Sequence, residues 1–291
     1  MLSKQELQQK MADGVRFLDG ATGSNLMKAG MPRGCCAEQW ILENPEPLVA
    51  LQRQYAASGS QIIYAPTFQA QPIALERAGL EKQTEAVNAA LVALSRSAAP
   101  GALIAGDLAT LSGFTDSWDA DNFDLLVENY RRQIRGLIDG GADLLAAETL
   151  MYPQEAEAIL TAAELECAGA TVYSFAMQSS GFLYSGMDAG PVLRELEESG
   201  AAAVGFNCVS ADMMTPYLVS KLRRDVKGPL LCKPNAGNPV IGADGVAQYA
   251  MTPEEFAGIV SDCVKMGAAL VGGCCGTTPA HIRALSDKLN F

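Results

Sequence analysis

The stretch MTPEEFAGIVSDCVKMGAALVGGCCG, residues 251–276, holds one complete helix-and-strand unit and ends on two adjacent cysteines and a glycine. Its Thr-Pro-Glu-Glu start has the spacing of a capping box with proline in the first turn, which predicts a helix over Thr252–Met266. Gly267 is suited to end that helix. The apolar run Ala268–Gly272 has the length and composition of a strand buried on both faces, as in a parallel sheet.

The same alternation of short apolar runs and longer amphipathic stretches recurs along the chain. The apolar runs predict eight strands, at Val15–Leu18, Gln61–Ala65, Leu103–Asp107, Asp143–Ala147, Thr171–Met177, Ala202–Asn207, Pro229–Lys233 and Ala268–Gly272. Helical patterns occupy Leu48–Ser58, Glu81–Ser97, Asn122–Asp139, Pro153–Cys167, Asp188–Ser199, Ala211–Arg224, Thr252–Met266 and Pro279–Leu289. Eight such units predict an α/β fold, a (β/α)8 barrel, with residues 1–291 forming one domain. An open doubly wound sheet is the alternative, but no GxGxxG fingerprint follows the first run.

Composition excludes several classes of partner. Of the 291 residues, 49% are hydrophobic and 19% are charged, which is enough apolar material for a large core. The net charge of −12 argues against nucleic acid and anionic membrane surfaces, since both need basic patches. The polar, helix-like start Met1–Asp13 does not resemble a signal peptide, and no apolar run approaches the ~18 residues that span a bilayer. Eight cysteines without a secretion signal predict reduced thiols and a cytoplasmic protein.

Polar and sulfur-containing residues stand at the carboxyl ends of seven of the eight predicted strands. They are Asp19–Gly23, Pro66–Phe68, Asp107, Glu148–Thr149, Asn207–Cys208, Lys233–Gly237 and Gly273–Gly276. In a (β/α)8 barrel the carboxyl ends of the strands form the active face, so these residues are expected to share one site.

Three of these residues are cysteines that a closed barrel can bring together: Cys208 after the sixth strand, and Cys274 and Cys275 after the eighth. Three thiolates around a zinc ion leave one tetrahedral position open, which is the layout of a catalytic zinc site. Such a centre carries a net charge of −1 and is a poor activator of water. It is suited to binding a substrate thiol and keeping it as a nucleophilic thiolate. The pattern predicts transfer of an alkyl group to the sulfur of a substrate.

Other interpretations of the cysteines stay open. Free cysteine is often simply a buried packing residue, and a strained disulfide between Cys274 and Cys275 is a further alternative. Packing is our interpretation of three more cysteines, Cys167, Cys232 and Cys263. A second vicinal pair, Cys35 and Cys36, lies in an early loop and is interpreted as exposed, reactive thiols without an assigned function.

The remaining polar residues suit a substrate that resembles an amino acid. Asp19 and Glu148 are carboxylates able to hold an ammonium group, and the backbone amides near Ala21 and Thr22 can receive a carboxylate. Each carboxylate also has a structural interpretation. Asp19 can be the turn-forming residue of Asp-Gly, and Glu148 can be the buried partner of an Arg or Lys.

The motifs LDGATGSNL, APTF, GFNC, KPNAG and GGCCGTTP, in this order, resemble those of the homocysteine S-methyltransferase family over about residues 10–290. That family consists of zinc-containing (β/α)8 barrels that methylate homocysteine to methionine. The resemblance implies that Cys208, Cys274 and Cys275 are the zinc ligands. It further implies amine contacts from Asp19 and Glu148.

The resemblance also implies roles for five further residues of these motifs and strand ends. Gly20, Ala21 and Thr67 would contact the amino-acid end of homocysteine, and Asp107 would lie at the same rim. Asn235 would occupy the fourth zinc position until the substrate thiol displaces it; alternatively, it is a turn residue before Gly237. His281, the only histidine, is expected to be a surface or capping residue rather than a ligand.

The methyl donor is the least determined part of the resemblance. KPNAG and GGCCGTTP are most similar to the homocysteine-binding domain of the cobalamin-dependent methionine synthase branch, which implies a separate corrinoid protein carrying methylcobalamin. Enzymes that use S-methylmethionine usually have GGCCRTTP, whereas Gly276 follows the cysteines here. ATLSG, residues 109–113, replaces the usual GPTG in a loop expected to face the donor. S-methylmethionine or another small sulfonium donor, another thiol acceptor, and a non-catalytic homocysteine- or zinc-binding subunit all stay open.

Overall fold

Eight parallel strands form the centre of the computed structural model, which describes residues 1–114, 120–242 and 247–290. They are β1 (Arg16–Phe17), β2 (Ile62–Tyr64), β3 (Leu103–Ala109), β4 (Leu144–Leu150), β5 (Thr171–Ala176), β6 (Ala203–Ser210), β7 (Leu230–Asn235) and β10 (Ala268–Val271). Their order in the sheet is β1-β10-β7-β6-β5-β4-β3-β2, and a parallel bridge between Leu18 and Ile62 joins the two edges. The predicted (β/α)8 barrel is confirmed, with each predicted strand present.

Helices surround this sheet. They are α1 (Lys4–Ala12), α2 (Gly23–Lys28), α3 (Ala37–Glu43), α4 (Pro45–Ala57), α5 (Pro72–Leu75), α6 (Thr84–Ala98), α7 (Ala120–Asp139), α8 (Pro153–Leu165), α9 (Ala189–Glu198), α10 (Thr215–Leu222), α11 (Pro253–Lys265) and α12 (Pro279–Lys288). The eight predicted helices all form, with ends shifted by a few residues. The capping box predicted for α11 is present, since Glu255 N donates to Thr252 Oγ1 and Thr252 N donates to Glu255 Oε2. The short helices α2, α3 and α5 were not predicted.

Apolar side chains pack in two layers. The outer layer lies between the strands and the helices, and it includes Tyr130 of α7 and Phe256 of α11. The inner layer fills the barrel, and Leu7 and Met11 of α1 belong to it. Backbone hydrogen bonds from Leu2 N to Asp143 O and from Ala170 N to Leu2 O attach the segment before α1 to the amino ends of β4 and β5. Helix α1 therefore closes the amino end of the barrel. The polar strand-end residues lie at the opposite, carboxyl end.

Two strands depart from regular geometry where they reach the carboxyl end of the barrel. The register of β4 with β5 shifts between Ala147 and Leu150, and that of β6 with β7 shifts between Asn207 and Ser210. Within these irregularities Thr149 and Cys208 have φ of 58° and 55°, left-handed values that residues other than glycine rarely adopt. Such bulges re-aim side chains and are common next to active sites.

A small antiparallel hairpin follows β7. Its strands are β8 (Val240–Ile241) and β9 (Ala247–Gln248), and their side chains are exposed. No pattern in the sequence predicted this hairpin. Across the described ranges, we find no helix whose length and apolar character would let it cross a bilayer.

The cysteines outside the predicted metal group differ in exposure. Cys232 and Cys263 are buried, as predicted. Cys167 is exposed, so the packing interpretation was wrong for this residue. It lies just after the end of α8, with φ 51°, and therefore not on the buried face of the helix. Cys35 is exposed as predicted, whereas Cys36 is only partly so.

Candidate active site

The three predicted thiol ligands meet at the carboxyl end of the barrel. The Sγ atoms of Cys208, Cys274 and Cys275 all lie within 4.8 Å of one another, and those of Cys208 and Cys274 are 2.9 Å apart. Cys208 belongs to β6, and the other two follow β10, with only β7 between these strands. Sulfurs this close can bind one zinc ion at about 2.3 Å each after small side-chain shifts.

The side chain of Asn235 is attached to the backbone of one of these cysteines. Its Nδ2 donates a hydrogen bond of 3.1 Å to the carbonyl oxygen of Cys208. Its Oδ1 is buried, and among the residues that the structure describes nothing donates a hydrogen bond to it. Buried polar atoms are rarely left in this condition without a reason. The three thiols fit a four-coordinate zinc ion whose fourth position is exchangeable, and the unpartnered Asn235 oxygen stays a candidate for that position.

The three thiols interact electrostatically with one another. Contacts with Cys208 and Cys274 hold the pKa of Cys275 far below its usual range, whereas contacts with Cys274 and then Cys275 raise the pKa of Cys208. Because zinc binds thiolates and releases their protons, metal binding at this group would be coupled to these ionisations.

Asn207 connects the thiol group to β4. Its Oδ1 accepts from Thr149 N at 2.9 Å, and its Nδ2 donates to Thr149 Oγ1 at 2.7 Å. The same Nδ2 lies 3.7 Å from Cys208 Sγ and 3.8 Å from Cys274 Sγ. One buried amide therefore supports the left-handed backbone at Thr149 and faces two of the three sulfurs.

A cluster of buried charges lies near the thiols. Lys233 Nζ is 2.8 Å from Glu148 Oε2, 3.8 Å from Asp19 Oδ1 and 4.0 Å from the centre of the Tyr64 ring. Burial alone would lower the pKa of Lys233, but the charges of Glu148 and Asp19 raise it well above its usual value. These neighbours therefore favour the cationic form of the lysine. The structural interpretation of Glu148, as a buried partner of a basic residue, agrees with this contact.

The carboxylates outnumber this one cation. Burial raises the pKa of Asp19 to about 7, an effect that Lys233 partly offsets. Burial and then the charge of Glu148 raise the pKa of Asp107, and its Oδ1 has no hydrogen-bond partner in the described part of the chain. Three buried carboxyl groups sharing one lysine leave a site that a second cation would stabilise, which suits a substrate ammonium group.

Thr67 positions Asp107. The Thr67 hydroxyl donates to Asp107 O at 2.9 Å and accepts from Asp107 N at 3.0 Å, so it is committed to that backbone. The predicted contact of Thr67 with a substrate would therefore have to come from other atoms of the residue.

The turn after β1 is tied to the loop after β10 through Thr277. Ala21 N donates to Thr277 Oγ1 at 3.1 Å, and Thr277 Oγ1 donates to Cys274 O at 2.7 Å. A Cβ on Gly20 would lie 2.7 Å from Thr277 Oγ1 and 2.6 Å from the Tyr55 hydroxyl, so only glycine fits there. Since the Ala21 amide already has an acceptor, the geometry does not support its predicted use by a substrate carboxylate.

His281 is a capping residue, as predicted, but it is not at the surface. Thr278 N donates to His281 Nδ1 at 3.2 Å, which leaves the proton on Nε2 to donate to Met251 O at 3.1 Å. Phe256 packs edge-on against the buried imidazole ring. Both ring nitrogens are used within the protein.

Sequence reasoning assigned no chemical role to five residues around this site: Thr149, Asn207, Lys233, Tyr249 and Thr277. Four of them lie inside or beside the strand-end motifs, so a chemical role could have been weighed for each. Tyr249 follows β9 and belongs to none of those motifs. Only the folded chain brings it to Gly276.

Comparisons with known proteins agree with this geometry. The family model described as homocysteine S-methyltransferase matches residues 16–289. The methionine synthases of Mycobacterium tuberculosis and Mycobacterium leprae are 27% and 26% identical to this chain over 97% of its length. The chain spans about a quarter of the length of these curated relatives, 25% in each case.

Solved structures give the same result at the level of the fold. The homocysteine methyltransferase MmuM from Escherichia coli, in its metallated form, has a TM-score of 0.81 and 26% identity, covering 96% of this chain and 99% of that one. Its oxidized form has a TM-score of 0.80 and 26% identity, covering 94% and 96%.

Proposed function

Because the chain belongs to the homocysteine S-methyltransferase family, we propose that it transfers a methyl group to the thiol of homocysteine and forms methionine. The observation that carries this proposal is the pairing of two groups at one end of the barrel. Cys208, Cys274 and Cys275 form a thiol group able to hold zinc, and an acidic cluster able to hold an ammonium lies beside it. Homocysteine has a thiol and an ammonium in one small molecule.

Each part of the site has a task in this reaction. Zinc bound by the three thiolates would lower the pKa of the homocysteine thiol and keep it nucleophilic. Asp19 and Glu148 would hold the ammonium of the substrate, and Lys233 keeps Glu148 in place. Asn207 holds the sulfurs of Cys208 and Cys274 in orientation, while the Asn235 oxygen would give way to the incoming thiol.

We further propose that the donor is a methylated corrinoid protein. Similarity to methionine synthases and the glycine at position 276 support this choice. The surface around the site supports it as well, because exposed apolar side chains concentrate in the segments that follow β5, β6 and β7. They are Phe182, Tyr184, Met187, Met213, Met214, Tyr217, Val240 and Ile241, which we call the apolar rim.

The segments of the apolar rim are connected to one another. Lys221 Nζ lies 4.6 Å from the centre of the Phe182 ring, and Tyr217 is one turn before Lys221 on α10. Ser210 Oγ donates to Asn238 Oδ1 at 2.6 Å and joins the end of β6 to the segment before β8. Exposed apolar patches of this kind mark interaction sites. A small sulfonium donor would leave the rim uncovered, whereas a protein-bound corrinoid would cover it.

A donor panel tests both parts of the proposal. Zinc-loaded protein would be incubated with homocysteine and either methylcobalamin or S-methylmethionine, with methionine measured by chromatography and Cys275→Ala as the control. We expect methionine from methylcobalamin and none from the control. Turnover with S-methylmethionine alone would contradict the corrinoid donor. Tight homocysteine binding without turnover by any donor would favour a non-catalytic binding subunit, and turnover of a different thiol would change the acceptor.

A further inference from the structure

A cavity of about 470 Å³ lies at the amino end of the barrel, beside helix α1 and opposite the thiol group. The first residues of three strands line it: Arg16 of β1, Ile62 of β2 and Leu103 of β3. Leu7 and Met11 of α1 also line it. Cavities of about 300–1,000 Å³ are the size at which proteins bind small molecules. Helix α1 therefore covers the amino end but leaves beside it a space large enough for a ligand.

Arg16 brings a positive charge to this cavity. Side chains alternate along a strand, and Leu18, two residues later, belongs to the inner layer of the barrel, so Arg16 is directed to the same side. The side chain of Arg16 is only 18% exposed. A charged side chain placed this deeply usually has a close partner of opposite charge. The partners of Arg16 therefore decide whether its charge is available to a ligand.

The charge of Arg16 is weakly compensated within the protein. Among residues 1–114, 120–242 and 247–290, Asp13 is the one carboxylate within 4 Å of it, at 3.8 Å from Nη2, and the Asp13 side chain is 85% exposed. Exposed ion pairs of this kind contribute little to stability. Nε of Arg16 donates to the carbonyl oxygen of Lys10, but neither terminal nitrogen donates a hydrogen bond to any residue in the described part of the chain. The guanidinium group therefore keeps two nitrogens for a ligand.

Lys10 adds a second positive charge to the lining of the cavity. It is exposed, and no carboxylate of the described residues forms an ion pair with it. None of the described lining residues is acidic, although the chain as a whole has a net charge of −12. Leu7, Met11 and Ile62, by contrast, are buried members of the apolar inner layer. The cavity thus combines two cationic side chains with an apolar wall.

We propose that this cavity binds a small organic carboxylate with a short apolar chain, at a site separate from the one at the carboxyl end of the barrel. The planar guanidinium group of Arg16 can donate two parallel hydrogen bonds to a carboxylate, a geometry that a lysine does not offer. Lys10 adds electrostatic attraction, while the chain of the ligand packs against Leu7, Met11 and Ile62. This inference is independent of methyl transfer.

Hexanoate is the probe for this site, because it joins one carboxylate to a short apolar chain. Acetate keeps the charge without the chain, hexanol keeps the chain without the charge, and inorganic phosphate is an anion of a different class. Because each buried CH₂ group favours binding several-fold, we expect isothermal titration to give an affinity for hexanoate about tenfold or more above that of the other three. In isotope-labelled protein, hexanoate should shift the amide signals of Gly59 and Gly101, which line the cavity.

Arg16→Gln removes the charge and the paired donors of the guanidinium group. Hydrogen bonds that involve a charged group are stronger than neutral ones, so we expect the affinity for hexanoate to fall about tenfold or more. The matched control is Arg53→Gln, which removes an exposed arginine of α4 that is not among the lining residues. It should leave the affinity for hexanoate unchanged. Melting temperatures of both variants check that each is folded.

Gly101→Leu is a second variant, which leaves Arg16 in place. A Cβ at Gly101 would meet no atom within 4 Å, so a larger side chain fits there without a clash. Since Gly101 lines the cavity, the leucine should take up part of its space and weaken the binding of hexanoate. This variant decides the question if Arg16→Gln fails to fold.

Several outcomes would overturn the proposal. They are an absence of hexanoate binding to the parent protein, and an unchanged affinity for hexanoate in folded Arg16→Gln or in Gly101→Leu. Equal binding of phosphate or hexanol would overturn the class of ligand. Displacement of hexanoate by homocysteine would locate the probe at the carboxyl end of the barrel and would contradict a separate site. Methyl transfer is not a readout, so failure of the proposed function would leave each of these results decisive.

Discussion

Thr149 and Asn207 exchange two hydrogen bonds across the carboxyl end of the barrel, at 2.9 Å from backbone to side chain and 2.7 Å between side chains. Thr149 lies in β4 and Asn207 in β6, so the pair spans the intervening strand β5. Both bonds stabilise a threonine whose φ of 58° is strained. The Nδ2 atom of Asn207 also faces the sulfurs of Cys208 and Cys274.

Asn207→Ala should therefore affect both folding and metal binding. We expect a loss of ~1–3 kcal/mol in the free energy of unfolding, because the partly buried Thr149 N loses its acceptor. Zinc affinity should fall by about 10- to 100-fold, since the sulfurs lose their orienting donor. Urea unfolding and chelator competition measure the two effects.

Asn129→Ala is the control for this prediction. Asn129, in α7, also makes two partly buried hydrogen bonds, from Ile73 N at 3.0 Å and to Leu125 O at 2.9 Å. It should lower stability without changing zinc affinity. Equal zinc affinity in Asn207→Ala and the parent would contradict the prediction.

Removal of one thiol should remove the metal. Cys275→Ala leaves two thiols, and we expect the bound zinc to fall from about one ion per chain to near zero. Cys35→Ala removes an exposed thiol outside the group and should retain the metal. Elemental analysis after dialysis measures both, and full zinc occupancy in Cys275→Ala would contradict the proposed ligand set.

Homocysteine binding should depend on the protonation of Asp19. Burial raises the pKa of this carboxyl to about 7, so the anion that attracts an ammonium is formed only as pH rises through that value. If the substrate ammonium needs this anion, KM for homocysteine should fall by about tenfold between pH 6 and 8. Asp19→Asn should have a higher KM that changes much less over this range, and steady-state kinetics across the range measure it.

Ionisation of Asp19 should favour homocysteine binding but lower the stability of the fold. The folded pKa of Asp19 exceeds its unfolded value, so the folded protein binds more protons between about pH 4 and 7. This group therefore contributes a stability that is present at low pH and is lost as pH rises through 7. The free energy of unfolding of Asp19→Asn should not show that loss. Identical dependence of this free energy on pH in parent and variant would contradict the raised pKa of Asp19.

Lys233→Met should leave Glu148 and Asp19 without their buried counter-ion. Breaking a buried ion pair from one side costs ~3–5 kcal/mol, and the loss should be smaller at pH 5, where the carboxyls can bind protons. The matched control is Lys221→Met, which removes a partly exposed pair with Asp188 at 3.0 Å and should cost less than ~1 kcal/mol. Similar losses for the two variants in urea unfolding would contradict the buried role of Lys233.

Substitutions in the apolar rim should lower the efficiency with a large methyl donor and leave the binding of homocysteine unchanged. Met213 and Tyr217 are 84% and 69% exposed, so replacing both by serine should not perturb the core. With methylcobalamin as the probe we expect kcat/KM for the donor to fall about tenfold, the loss that ~1.4 kcal/mol of contact energy produces. KM for homocysteine should stay unchanged. The control replaces Met27 and Met266, exposed residues outside the rim, and equal donor kinetics in both variants would contradict the assignment.

Much of this molecule follows from local patterns. The eight apolar runs, the capping box of α11 and the terminating glycines predicted the barrel because each strand is buried on both faces and each helix on one. Cys208, Cys274 and Cys275 were predicted as a group because strand order alone places the ends of β6 and β10 near each other.

Other features depend on contacts that are far apart in the chain. Lys233 was seen at a strand end, but only the folded barrel places it between Glu148 and Asp19. The Ala21 amide looked free in the sequence, yet Thr277, more than two hundred residues later, takes its hydrogen. Cys167 was judged by its apolar character and lies exposed after a helix end.

The sequence by itself determined the barrel, its strand order and the three sulfurs, because periodic burial and the alternation of strand and helix are local properties. Only the tertiary structure decided which polar groups are already satisfied and which remain free for a substrate. That depends on which donors and acceptors meet across strands, as when the Ala21 amide donates to Thr277 Oγ1. A hydrogen bond between distant residues has no periodicity in the sequence from which it could be read.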